Sequence, residues 1–160
     1  MASGPVKVVE KPGNLLDAPE DLRCHQCNCI SRRAKGLAAE IFKKYPYTNT
    51  YIMRTKTGPS QPGSVYIDTN SRIVNMYAQY SWKSISQTEE TFDDRIYWFQ
   101  KCLDGMLHFT RTQGKPLSFA FPYNIGCGLA GGTWELYLNE IKKFSQSEWV
   151  KEVVIYHLDE

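Results

Sequence analysis

Between Gly126 and Gly132 the chain places four of its eleven glycines. An apolar run, Leu117 to Phe121, leads into this stretch, and an amphipathic one, Thr133 to Phe144, leads out of it. The pattern reads as strand, glycine-rich turn and helix. Glycine reaches positive φ and lets a ligand approach the backbone closely. Successive N–H groups in such a turn can converge on an anion. The helix that follows adds unpaired N–H groups and the positive end of its dipole. A phosphate or diphosphate is therefore the natural ligand, although such loops also serve only to turn a chain. There is no G-x-x-x-x-G-K-[ST] motif. Gly126, Gly128 and Gly131 do spell G-x-G-x-x-G, but the acidic residue that would follow is Asp159. That lies about thirty residues on rather than about twenty, with almost no chain beyond it, so a dinucleotide oxidoreductase is disfavoured.

The rest of the chain supplies alternating elements. Strands are expected over Pro5 to Glu10, Leu22 to Ile30, Val65 to Asp68, Arg72 to Tyr77, Leu117 to Phe121 and Lys151 to Leu158. Apolar residues at helical spacing predict helices from Leu37 to Lys44, ended by Pro46, from Phe92 to Arg111, and up to Phe144. Arg54 to Gly63 reads as a loop, Ser81 to Thr91 as a polar connection. This interleaving predicts an α/β fold, a mixed sheet covered by helices on both faces, in a single domain over residues 1–160. In such sheets ligands sit beyond the carboxyl ends of the strands. Two loops hold that position, Asn28 to Gly36 and Tyr123 to Gly132, and both open helices. Together they suit an elongated ligand with a diphosphate between them.

The formal net charge of +2 is too small to imply nucleic-acid binding by itself. No apolar run approaches the roughly 20 residues of a membrane span, and the start of the chain lacks the apolar core of a secretory signal. A cytoplasmic or nuclear protein is expected, with its five cysteines as reduced thiols. A zinc site from Cys24, His25, Cys27 and Cys29 is the alternative, but that segment reads as a strand and paired knuckles are missing. No metal and no cofactor are expected.

Three motifs then stand in order: Pro12-Gly-Asn-Leu15; Cys27-Asn-Cys-Ile-Ser31 with Lys35-Gly-Leu-Ala38; and Ile125-Gly-Cys-Gly-Leu129 before Trp134-Glu135. Together they resemble the macrodomain family over nearly the whole chain. The resemblance implies a three-layer α/β/α sandwich with a mixed central sheet, and ADP-ribose or ADP-ribosylated molecules as partners. His25 to Cys29, Tyr45-Pro46 and Val154 to His157 look most like the branch that holds the yeast ADP-ribose-1″-phosphate phosphatase.

Carried over by position, the resemblance puts Asn14, with Leu15 beside it, at the adenine amino group, where the family usually has an aspartate. Asn28 would hydrogen-bond the distal ribose. Lys35, Gly36 and Leu37 would line one side of the diphosphate. Ile125, Gly126, Cys127, Gly128, Leu129, Ala130, Gly131 and Gly132 would wrap the other, and Tyr156 would stack near the adenine. Plainer roles stay open: Asn28 as a helix-entry cap, Tyr156 as core, Lys35 as a solvated charge. Relatives that hydrolyse through a lysine adduct use a lysine and an aspartate where this chain reads Gln79 and Ala130. That leaves His25 as the candidate acid/base for phosphate-ester hydrolysis, beside Asn28 in the catalytic region. Strand alternation sets His25 and Asn28 on opposite faces unless a bulge intervenes. From another functional class, Arg32, Arg33 and Lys35 with Tyr45, Tyr47 and Tyr51 could bind a single-stranded nucleic acid.

Overall fold

A computed structural model describes residues 4–127 and 133–158. Six strands form one sheet: β1 (Val8–Pro12), β2 (Leu22–Asn28), β3 (Val65–Asp68), β4 (Ile73–Gln79), β5 (Leu117–Pro122) and β6 (Val150–His157). Their order across the sheet is β1-β6-β5-β2-β4-β3. Every neighbouring pair is parallel except β3 and β4, which are antiparallel. The helices are α1 (Gly36–Lys44), the single turn α2 (Arg54–Thr57), α3 (Phe92–Gln113) and α4 (Trp134–Ser145).

Strand alternation sorts the side chains into two cores. On one face Leu22, Cys24, Val74, Met76, Phe119, Phe121, Val153 and Ile155 meet Phe99, Leu103 and Met106 of α3 and Tyr137, Ile141 and Phe144 of α4. On the other, Cys27, Ile73, Tyr77, Ala120, Val154 and Tyr156 meet Ile41 and Phe42 of α1, with Leu15 and Tyr51. The result is a three-layer α/β/α sandwich around a mixed sheet, as expected. Because the central strands are apolar on both faces, they read as continuous hydrophobic runs.

The boundaries differ from the sequence expectation where side chains intervene. β1 is displaced to Val8–Pro12, and its proline is tolerated because β1 is the outer strand. β2 stops at Asn28 rather than Ile30, because the Asn28 side chain captures the next N–H groups. Residues 54–63 do not form a simple loop: 3-10 turns over Pro46–Thr48 and Thr50–Met53 run into α2. The long helix α3 begins with a capping box between Thr91 and Asp94 and ends at left-handed Gly114.

Candidate functional site

The parallel strands β2, β5 and β6 deliver their carboxyl ends to one edge, joined by β4. A cleft of about 980 Å3 opens there across the ends of β5, β2 and β4. Its lining includes Asn28, Arg32, Arg33, Lys35 and Leu37 from the β2 side, and Tyr123, Asn124, Ile125 and Gly126 from the β5 side. The described parts of the two loops singled out by the sequence therefore share a single groove. The described lining carries three cations, Arg32, Arg33 and Lys35, and no carboxylate.

The β2 loop is set by side chains. Asn28 Oδ1 accepts the N–H groups of Ile30 at 3.1 Å and Ser31 at 2.8 Å. The buried Arg54 guanidinium donates to Asn28 O at 2.5 Å, Ser31 O at 2.6 Å and Ser60 Oγ at 3.0 Å, while lying 4.2 Å from the Tyr51 ring centroid. These bonds close the turn from behind. Asn28 Nδ2 has no partner among the described residues, so it remains a donor on the cleft wall. The first N–H groups of α1 have no intrahelical acceptors.

The β5 loop is set by backbone conformation. Asn124 and Gly126 both have positive φ, +66° and +79°. Ile125 N–H reaches Pro122 O at 3.2 Å and Cys127 N–H reaches Asn124 O at 2.9 Å. A Cβ on Gly126 would stand 2.5 Å from the Tyr137 ring. Glycine is required there on both counts. Tyr137 is fully buried beneath this glycine, and its hydroxyl has no partner among the described residues.

His25 is sealed into the floor of the cleft, 1% exposed. Its Nε2 lies 2.7 Å from Asn75 Oδ1, and its ring packs edge-on to Phe42. The Asn75 amide nitrogen is occupied in donating to Thr48 O, so Asn75 Oδ1 accepts and His25 Nε2 carries the proton. Burial pushes the His25 pKa down to about 4, against an upward pull from Asn75. The ring is neutral at pH 7 and has no free N–H. As the acid expected from its motif His25 lacks the charge, and as a base it is enclosed at 1% exposure; its position on the α1 face follows strand alternation.

The other sequence candidates divide. Lys35, Leu37, Gln79, Ile125 and Gly126 line the cleft with Asn28; Gly36 and Cys127 adjoin it in sequence without lining it. Gln79 has its amide committed, Oε1 to Gln26 at 2.5 Å and Nε2 to Ser81 O at 2.8 Å. Asn14, Leu15 and Tyr156 do not line this cleft. Asn14 Oδ1 caps Leu16 N–H at 2.9 Å, and Leu15 is core. Tyr156 corrects an expectation: it is 7% exposed, packed in the α1-side core, with its hydroxyl on Glu20 Oε1 at 2.6 Å. Its neighbour in alternation, His157, instead stacks on Tyr123 at 4.1 Å, and Tyr123 is the exposed ring on the cleft. Gly128, Leu129, Ala130, Gly131 and Gly132 lie outside the described residues.

Sequence reasoning missed Gln26, Trp82, Ser84 and Gln87 in the lining. Gln26 carries a buried Oε1 without a partner among the described residues, the kind of acceptor a ligand hydroxyl satisfies. The zinc alternative fails on geometry: Cys24 belongs to the core on one face of the sheet, Cys27 and Cys29 to the other. The aromatic array of the nucleic-acid alternative is likewise dispersed. Tyr51 is buried and accepts the Asn28 N–H at 2.9 Å, Tyr45 contacts Arg23, and Tyr47 is exposed.

No protein-family model matches the chain, and no curated protein sequence matches it. Solved structures do. The macrodomain of Mycobacterium tuberculosis DarG is 24% identical with a TM-score of 0.73, over 96% of this chain and 98% of that one. Thermosipho africanus DarTG in complex with ADP-ribose is 15% identical with a TM-score of 0.70, over 96% of this chain and 42% of that one. An Oceanobacillus iheyensis macrodomain mutant with ADPR is 18% identical with a TM-score of 0.66, over 94% of this chain and 84% of that one. The chain has the macrodomain fold.

Proposed function

We propose that this protein binds ADP-ribose or a molecule carrying it in the cleft across β5, β2 and β4. The observation that carries the reading is the composition of that cleft. Three cations and no carboxylate lie among its described lining residues, between two bends of which the first opens α1. Such a place favours a diphosphate. The structural likeness to macrodomains with bound ADP-ribose supports the same ligand. In this reading the diphosphate spans Lys35–Leu37 and Asn124–Gly126, and Asn28 Nδ2 donates to a hydroxyl of the distal ribose. Tyr123, backed by His157, offers a ring at the β5–β6 edge in place of Tyr156. Calorimetry with ADP-ribose tests it. Saturable binding stronger than that of AMP is expected; silence at millimolar ADP-ribose overturns it.

A finer reading, hydrolysis of ADP-ribose-1″-phosphate, is supported by the likeness of His25 to Cys29 and Val154 to His157 to the yeast phosphatase branch. The chain's own groups favour binding over turnover. His25 is neutral, enclosed and bonded to Asn75, and no described lining residue offers a carboxylate in its stead. Release of inorganic phosphate from ADP-ribose-1″-phosphate measures the step directly. Turnover abolished by His25→Gln would return that histidine to a catalytic role.

A further inference from the structure

The far end of the cleft is closed by residues 80–91, which leave β4 and lead to α3. Trp82 is 55% exposed and lines the cleft with Ser84 and Gln87. The segment that carries it is anchored from below by a buried ion pair. Arg95, in the first turn of α3, is fully buried. Its Nε donates to Glu90 Oε1 at 2.7 Å, and its Nη2 donates to Lys83 O at 2.6 Å and Ser81 O at 3.3 Å. The Glu90 carboxylate accepts Tyr80 N–H at 3.0 Å and Ser81 N–H at 2.9 Å. Residues on both sides of Trp82 are thus tied to one pair. A buried ion pair adds little net stability over an apolar replacement, but it fixes geometry, and removing one partner is costly.

Strand order gives the two ends of the cleft. Running β6-β5-β2-β4, the cleft begins near Tyr123 and ends at Trp82. In the proposed reading the Tyr123 ring takes the purine and the α1 entry the diphosphate, which leaves the second ribose toward β4. Lys35 Nζ stands 5.7 Å from the Trp82 ring centroid and Lys83 Nζ 5.9 Å, so Lys35 joins the two rims at this end. An indole face takes the C–H side of a sugar, which leaves the hydroxyls to Asn28 Nδ2 and the orphan Gln26 Oε1.

We propose that Trp82 determines specificity for the distal ribose, and that Arg95 is a positioning residue that holds Trp82 through Glu90. The proposal rests on ADP-ribose occupying the cleft. A double-mutant cycle tests it. Trp82→Ala should weaken ADP-ribose roughly fivefold to tenfold and leave AMP, which ends before the second ribose, unchanged. Arg95→Met should weaken ADP-ribose without adding to Trp82→Ala, so that the double variant binds within about twofold of Trp82→Ala. Should Arg95→Met fail to fold, Glu90→Gln takes its place in the cycle. Additive losses overturn the role of Arg95. An unchanged ADP-ribose affinity in Trp82→Ala, or an equal loss for AMP, overturns the role of Trp82. A wild-type protein silent toward ADP-ribose sinks the binding reading itself; a binding wild type with an indifferent Trp82→Ala sinks this inference alone.

Discussion

The loops after β2 and β5 have the same task, to present donors to one cleft, and perform it by different means. After β2, the turn is held by side chains: Asn28 Oδ1 takes two N–H groups, and Arg54 takes two carbonyls from within the core. After β5, two positive φ angles shape the turn, and Gly126 lies directly on the Tyr137 ring. A turn built from side chains can be undone from a distance, by removing a group many residues away. A turn built from backbone is undone only at its own positions. The two halves should therefore break under different substitutions.

Arg54→Met gives the largest expected effect. It leaves Asn28 O and Ser31 O without their donor and removes the cation from the Tyr51 ring. An abandoned acceptor costs about 1 to 3 kcal/mol when buried, and these two are part-buried, so a loss of roughly 3 to 4 kcal/mol in denaturant unfolding is expected with the lost ring contact. The affinity for ADP-ribose should fall in parallel, although Arg54 does not line the cleft. A loss below about 1 kcal/mol would mean that Asn28 holds the turn alone. Gly126→Ala comes next. Its Cβ combines an unfavourable φ with a contact of 2.5 Å to a fully buried ring. About 3 kcal/mol is expected from strain and overpacking together. Gly36 sharpens the contrast: its φ is +58°, but a Cβ there meets nothing within 4 Å. Gly36→Ala should cost only the conformational share, about 1 kcal/mol. Equal losses at the two glycines would show that the Tyr137 ring moves aside.

This difference also explains what could be read in advance. Backbone-built features announce themselves locally, and the cluster beginning at Gly126 marked the β5 loop from sequence alone. A mixed sheet covered on both faces followed from the interleaving of strands and helices, and the three layers from the resemblance, whereas the order of the strands depends on long-range pairing that no local pattern carries. Arg54 was invisible because its role depends on Asn28, Ser31 and Tyr51, brought near by the fold, and because its short helix sits where Gly58, Pro59 and Pro62 suggest a loop. Trp82 was passed over inside a polar connection. The Glu90–Arg95 pair beneath it looks, in sequence, like two surface charges. Tyr156 was put near the adenine by the resemblance, with a core position left open, and its packing against the α1-side core is the second of these. Alternation puts it with Val154, but Val153 and Ile155 on the other face are equally apolar, so pattern alone does not say which face meets the ligand.

Proton uptake distinguishes the two halves most finely. Beneath the β2 side lies His25, whose pKa falls from its ordinary 6.5 to about 4 because the charged ring is desolvated. The groups around it, Asn75, Cys27 and Phe42, carry no negative charge at neutral pH to stabilise the imidazolium. The unfolded chain therefore binds a proton that the folded one refuses between pH 6.5 and 4. This contribution is fully present above pH 6.5 and is lost as the pH falls to 4, by on the order of 3 kcal/mol. On the β5 side, burial holds the Cys127 thiol up at about 11, outside that window. His25→Gln keeps a donor for Asn75 and does not titrate. Its stability at pH 7 should be within about 1.5 kcal/mol of wild type, and its curve between pH 6.5 and 4 should be flatter. Parallel curves for the two proteins would assign acid destabilisation to carboxylates elsewhere, and would mean that the polar floor under Asn28 admits a proton without loosening.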